Sequence, residues 1–281
     1  MSALSARLAW PWRRSRIALA FSPRVLLARR TGEGARTVRR DVPPGLLVPS
    51  AAAPNIHSVR EVAQLAAAMV EELSGRGATA AVLLPDLSVS SAVVPPARGG
   101  ERDLAADLGR RLGTAASGLR TDFWRGRKGE LLGAAVLEAV VRQYEQVIEA
   151  AECRVGWIDA ASLARIPSWA DASPSDPGIT LVEALLYHSH YVLALFRGGE
   201  LIDLRTRLRA GDDCGAVAEE IRRLPAMYGD FALGTVALSG EGASDCARIL
   251  SKACPEARVS SEEGGEEKAL ETAISALLLR S

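Results

Sequence analysis

The side chains of this chain that could do chemistry are few and scattered. His188 and His190 stand two apart, and on an extended strand that spacing turns both rings to one face, as a pair of metal ligands requires. Only Ser189 lies between them and no acid or Cys follows at ligand spacing, so they read as a hairpin turn and no metal is assigned. Cys153, Cys214, Cys246 and Cys254 form no Cys-x-x-Cys pair, which leaves buried, reduced thiols. Ser239-Gly240-Glu241-Gly242 is a glycine-bearing stretch. By itself it reads as a glycine turn that leads the chain into a helix capped at Ser244. Gly-x-Ser-x-Gly is absent, and a nucleophilic hydrolase has no anchor. Trp124, Arg125 and Arg127 form a basic aromatic patch suited to the rim of a partner groove or to anchoring a loop. A second such patch, Trp10 and Trp12 with Arg7, Arg13, Arg14 and Arg16, suits an anionic lipid surface, a groove, or a disordered leader.

The elements that must position these residues fit two lobes, since 281 residues exceed what one hydrophobic core usually serves. Lys plus Arg equals Asp plus Glu at 34 each, which offers no electrostatic case for nucleic acid. Leu131 to Val141, among the longest apolar stretches, is interrupted by Gly133 and Glu138, well short of a membrane span. No apolar run of signal-peptide length follows the first arginines, and the chain is expected in the cytosol.

Arg16 to Ala28 carries two apolar runs broken at Ser22-Pro23, a hairpin pattern. Ser58 with Glu61 starts a helix carrying Val62, Leu65, Met69, Val70 and Leu73, which Gly75 and Gly77 end. Thr79 to Leu84 reads as a strand covered on both faces. Strands at 88–94 and 131–136 and helices at 102–112 and 137–150 follow, then a strand at 155–158 and a helix at 159–165. The linker at 173–178 precedes a three-strand meander over 179–205 with its turn at Gly198-Gly199. A helix at 216–227, a strand at 236–238, a helix at 244–253 and a last helix at 266–279 complete the chain; the acidic run Ser261 to Glu267 reads as the start of that last helix.

The duplicated order resembles the actin, Hsp70 and sugar-kinase superfamily, and its PilM branch in particular. The segments that carry the resemblance are RIALAFSPRVLLARR (16–30), LLVPSAAAPNI (46–56), AAVLLPD (80–86), LLGAAVLEAVVRQYEQVIEAAECRVGWIDAASLA (131–164), YVLALFRGGELIDLRTR (191–207) and VALSGEG (236–242). It implies an α/β, two-lobed actin-like fold of the duplicated ribonuclease-H-like kind. The first lobe would span 16–175 with a small inserted α+β subdomain at about 86–154, and the second would span 178–281. It further implies a cytoplasmic protein, peripheral at the inner membrane, that binds the cytoplasmic tail of a PilN-like inner-membrane partner and meets pilus motor components; a homodimer is compatible. Trp124, Arg125 and Arg127 would then line the partner groove.

The same resemblance locates the phosphate-binding elements, which the family writes as Asp-x-Gly. Here Ala20-Phe21-Ser22 stands at the first and Leu185-Leu186-Tyr187 at the second. Both carboxylates and both glycines are missing, so a non-catalytic scaffold with no cofactor is expected. Tyr187 would put a ring where phosphate oxygens lie and close the lobes on each other. Ser239, Gly240 and Gly242 remain as a degenerate adenosine-side turn, which keeps ATP binding open. The alternatives are a type II secretion adaptor, or an active ATPase or sugar-kinase-like phosphotransferase.

Overall fold

The computed structural model describes residues 16–31, 35–95, 100–211, 213–229 and 231–278. The basic aromatic stretch before Arg16 lies outside them. The first half runs β1 (Ile17–Phe21), β2 (Val25–Arg30), β3 (Thr37–Asp41), α1 (Val59–Glu72), β4 (Thr79–Leu84), β5 (Ser90–Val94), α2 (Glu101–Arg111), β6 (Leu119–Arg125), β7 (Leu131–Leu137), α3 (Glu138–Ala150), β8 (Arg154–Ala160) and α4 (Ile166–Ala172). The second half runs β9 (Thr180–Leu186), β10 (His190–Arg197), β11 (Glu200–Leu208), α5 (Cys214–Tyr228), β12 (Thr235–Gly240), α6 (Ala243–Ala253), β13 (Arg258–Glu263) and α7 (Glu266–Leu278). Two sheets result, ordered β3-β2-β1-β4-β8 and β11-β10-β9-β12-β13. In each, a three-strand antiparallel meander continues into parallel strands. One architecture is built twice.

Local sequence accounts for much of this. Ser58 Oγ accepts the Glu61 amide at 3.4 Å and starts α1, whose buried face is Val62, Ala63, Ala66, Met69 and Val70. Every residue of β4 is buried. Ala80, Val82 and Leu84 meet α1 and α3 in the outer core, while Ala81 and Leu83 join the inner one. A Cβ on Gly75 would lie 1.8 Å from Ile17 Cδ1, so the buried Ile17 side chain would have to shift.

Several sequence expectations need correction. β3, β6 and β13 are further strands: β3 and β13 are mostly exposed and polar, while β6 alternates only weakly, with Leu119 and Phe123 packed on the small core between exposed Arg120, Asp122 and Arg125. Ser261–Glu263 therefore ends β13 instead of opening the last helix. The helix expected at 159–165 begins later, because Asp159 and Ala160 still pair with β4 and α4 starts at Ile166 with Pro167 in its first turn. The inserted block closes at Leu137, not near 154. α3 packs Val140, Tyr144, Val147 and Ile148 into the core of the first lobe, whereas β5-β7-β6 and α2 have their own small core of Ala92, Leu104, Leu108, Leu131 and Ala135.

The largest correction concerns the second lobe, expected to run to 281. α7 lays Leu270, Ala273, Ile274 and Leu277 on Ala18, Ala20, Val25, Leu27 and Leu83 of the first sheet. Arg29 donates to Ser275 Oγ at 2.7 Å and Arg39 pairs with Glu267 at 2.9 Å. The first sheet's inner face is small and apolar and needs a helix over it, and it is this last helix of the chain that supplies the cover.

Candidate functional site

The two lobes meet across a seam in which α7 covers the first sheet and α4 the second, and both strand turns expected to bind phosphate stand at it. Ser22 donates its amide to Val25 O at 3.1 Å, and its Oγ accepts from Val25 N at 2.9 Å. Tyr187 donates its amide to His190 O at 2.9 Å, closing the β9–β10 turn at the corresponding place. The registers end at Phe21–Leu26 and Leu186–Tyr191, so Ala20 matches Leu185 and Ser22 matches Tyr187. Neither Ala20 nor Leu185, where the resemblance leads one to expect Asp, carries a side-chain oxygen. Ala20 packs under α7, and Leu185 packs with Ile166 and Trp169 of α4.

Tyr187 is 2% exposed. Its ring stacks on His190, centroids 4.4 Å apart and planes 9° from parallel. Burial drives His190 down to about 4, so that it stays neutral. The Tyr187 hydroxyl faces Asp86, and neither that hydroxyl nor Asp86 Oδ2 has a hydrogen-bond partner among the described residues. Asp86 Oδ1 accepts from the Ser162 amide at 2.8 Å and its hydroxyl at 2.6 Å, yet burial outweighs these bonds and raises the carboxyl above its usual range. Glu183, on the same face of β9 as Leu181 and Leu185, is pushed up to about 7 by burial, with Arg165 opposing the shift. Arg165 also sits 4.9 Å above the Trp169 ring.

The glycine turn after β12 is explained by contacts within the fold. Gly240 has φ +112°, and a Cβ on it would fall 2.1 Å from Leu186 O; Gly242 has φ +76° and would place a Cβ 2.9 Å from the Arg209 guanidinium. Ser239 Oγ reaches Ala184 O at 3.5 Å. α6 is not capped by the Ser244 side chain as expected. Its N-terminal amides at Gly242 and Ser244 donate to the Glu263 carboxylate at 2.9 and 2.8 Å, and these bonds hold Glu263 below the ordinary range. A helix N-terminus with free amides attracts anions; here the protein's own carboxylate takes that position. Buried Arg209 donates to Tyr187 O at 3.3 Å and Glu241 O at 2.7 Å and so ties the two turns together. Glu241 reaches Arg24 at 3.5 Å across the seam, and His188 at 3.0 Å. The space left beside Arg165, Ser239 and Gly240 is about 10 Å³, room for one water at most.

The remaining sequence candidates separate. Trp124 packs against the seam cluster, Arg125 pairs with Glu101 at 3.6 Å, and Arg127 pairs with Asp171. The three residues lie along β6 and the turn after it, with only the arginines solvent-facing. His188 and His190 diverge, one exposed on Glu241 and one stacked in the seam. The four cysteines are buried and free. Asp86, Arg165, Glu183, Arg209 and Glu263 are not singled out by sequence. Asp86 closes the AAVLLPD segment, but isolated charged residues carry no local pattern that announces burial.

No family model matches the sequence, and no curated relative is found for it. Solved structures do match. A chain of the PilM–PilN type IV pilus biogenesis complex superposes at TM-score 0.70 and 14% identity, over 95% of this chain and 97% of that one. A Bacteroides thetaiotaomicron protein with an actin-like ATPase fold and unknown function aligns at 0.64 and 11% identity, over 99% of both chains. The cytoplasmic domain of EpsL, an inner-membrane component of the Vibrio cholerae type II secretion system, aligns at 0.52 and 11% identity, over 92% and 93%. The protein has the actin-like ATPase fold, two lobes with a small subdomain inserted in the first. None of its helices, among the described residues, is long and apolar enough to cross a membrane.

Proposed function

We propose that this protein is a non-catalytic, PilM-like adaptor of a type IV pilus-like assembly machine, cytoplasmic and held at the inner membrane through a protein partner. The filled seam carries this reading. Tyr187 occupies the place of a phosphate-turn glycine, Ala20 and Leu185 replace both carboxylates, and Glu263 sits on the amides that an incoming anion would need. A pseudo-ATPase needs no nucleotide for this role. The similarity in fold to a chain of the PilM–PilN complex, across nearly all of both chains, supports a PilN-like partner whose cytoplasmic tail this protein binds, with motor components and a second copy as further contacts.

The tail docks on the inserted subdomain. In the sheet β5-β7-β6, β6 pairs only with β7 among the described residues, so its outer edge can accept an extended segment as an added strand. Arg125 and Arg127 flank that edge. A pull-down with the cytoplasmic tail of the pilus membrane protein encoded alongside this chain tests the reading. Binding that weakens on Arg125→Glu and Arg127→Glu supports it, and absence of binding by folded protein refutes it.

A related reading, an adaptor of type II secretion, draws on the EpsL similarity, and gene neighbourhood separates the two. A phosphotransferase is favoured only by Asp86 and Glu183, two carboxyls facing the seam with Arg165. ATP turnover above a buffer blank, abolished by Asp86→Asn, would establish it.

A further inference from the structure

The strand ends opposite the seam carry a second feature. Where β1, β4 and β8 begin and β2 ends, a surface basin of about 410 Å³ is walled by Arg16, Arg30, Arg76 and Arg154 and by the loop at 74–79. Its charge is not neutralised internally. Arg30 is held by Leu73 O at 3.0 Å, and Arg76 spans Glu71 at 3.3 Å and Glu152 at 3.7 Å. The side chains of Arg16 and Arg154 have no hydrogen bond or ion pair with any described residue. Four guanidinium groups therefore face two carboxylates, and both carboxylates are already engaged by Arg76.

Two unpaired guanidiniums at the mouth of one basin are the arrangement that grips a phosphate, whose oxygens match the planar N–H fork in pairs. The lining also argues against a peptide. Apart from Ile17 and Ala78 it is arginine, glycine, serine and threonine, with no apolar pocket to anchor a side chain. In sequence, Arg16 follows closely on Trp10, Trp12, Arg13 and Arg14, so the segment joined to the basin's rim has the composition that anionic headgroups favour.

We propose that this basin is a phosphate-binding site, with Arg16 and Arg154 taking the phosphate oxygens while Arg30 and Arg76 are kept in place by their own partners. The phosphate belongs either to the headgroup of an anionic lipid or to a soluble oligophosphate. The full chain is titrated calorimetrically with inorganic pyrophosphate, and is co-sedimented with phosphatidylcholine vesicles with and without phosphatidylglycerol. Binding to at least one probe is expected. It should weaken roughly tenfold or more in the Arg16→Gln/Arg154→Gln double variant, whose melting temperature reports that the fold persists. Loss of pyrophosphate binding assigns a soluble ligand, whereas loss confined to phosphatidylglycerol vesicles assigns a lipid headgroup. Should the double variant fail to fold, Arg154→Gln alone serves, since that side chain has no partner among the described residues to lose. Binding to neither probe overturns the proposal, as does binding that the substitutions leave unchanged.

Discussion

Replacing Tyr187 with Ala separates a packed seam from an open nucleotide cleft. The ring is 2% exposed and stacked on His190, and truncating a buried aromatic costs about 3–5 kcal/mol through lost burial and the cavity left behind. Part of that is returned because the hydroxyl has no partner; it faces Asp86, and relieving it recovers about 1 kcal/mol, the low end for a buried unsatisfied group. The net loss is about 2–4 kcal/mol, or a melting temperature lower by about 3–8 °C for a chain of this size. Tyr187→Phe removes only the orphan hydroxyl and should stay within about 1 kcal/mol of the parent protein. The assay is thermal unfolding with and without Mg-ATP. A ligand at a concentration about a hundred times its dissociation constant stabilises by about 2.7 kcal/mol, a shift of several degrees that scanning fluorimetry resolves. No shift is expected for the parent protein or for Tyr187→Ala. A clear ATP-dependent rise in the unmodified protein would show an open pocket and refute the reasoning, and so would a Tyr187→Ala variant that melts with the parent.

Three further outcomes follow from the same geometry. Glu183 titrates at about 7 in the fold against an ordinary value of 4.5, so the folded state holds a proton that the unfolded state releases, and stability falls as pH rises between those values. Glu183→Gln should therefore gain about 1–3 kcal/mol at pH 8 and little at pH 4, measured as denaturation midpoints across pH. His190, neutral in the fold down to about 4 against 6.5 unfolded, contributes the opposite slope, with stability lost as pH falls below about 6.5; the Glu183→Gln background should expose it, and an unchanged pH profile would place Glu183 outside the seam. Gly240→Ala should cost several kcal/mol or prevent folding, because it combines φ +112° with a Cβ 2.1 Å from Leu186 O; soluble yield and urea midpoint check this. Ile274→Ala on α7 should lower stability by about 2–5 kcal/mol and loosen amide-exchange protection in β1 and β4, strands far away in sequence; protection lost only in the second lobe would contradict the packing of α7.

What was legible in the sequence tracks how one-sided each element's burial is. The meander β9-β10-β11 was readable because β9 and β10 are apolar and the turn into β11 is Gly198-Gly199, both at positive φ. β4 was readable because all six residues are buried. β6 and β13 were not, since an edge strand exposed along much of its length is held by a neighbour's backbone and its side chains need no pattern. The replacements at Ala20, Leu185 and Tyr187 could be counted from motif spacing, and the turn registers put the two turns at corresponding places in their sheets. The buried charges could not be found that way. Glu263 reaches amides 21 and 19 residues before it, Asp86 meets Ser162 76 residues on, and only the folded topology brings such partners together.

The return of α7 to the first sheet makes the second lobe an excursion within the chain of the first. A ribosome emits β1 to β8 long before the helix that covers their inner face, so that apolar surface waits uncovered while the whole of β9 to β13 is synthesised. Folding of the first lobe is thereby gated on completion of the second, and truncated products should be captured by chaperones or proteases. Two polypeptide crossings, between α4 and β9 and between β13 and α7, also tether the lobes at two points.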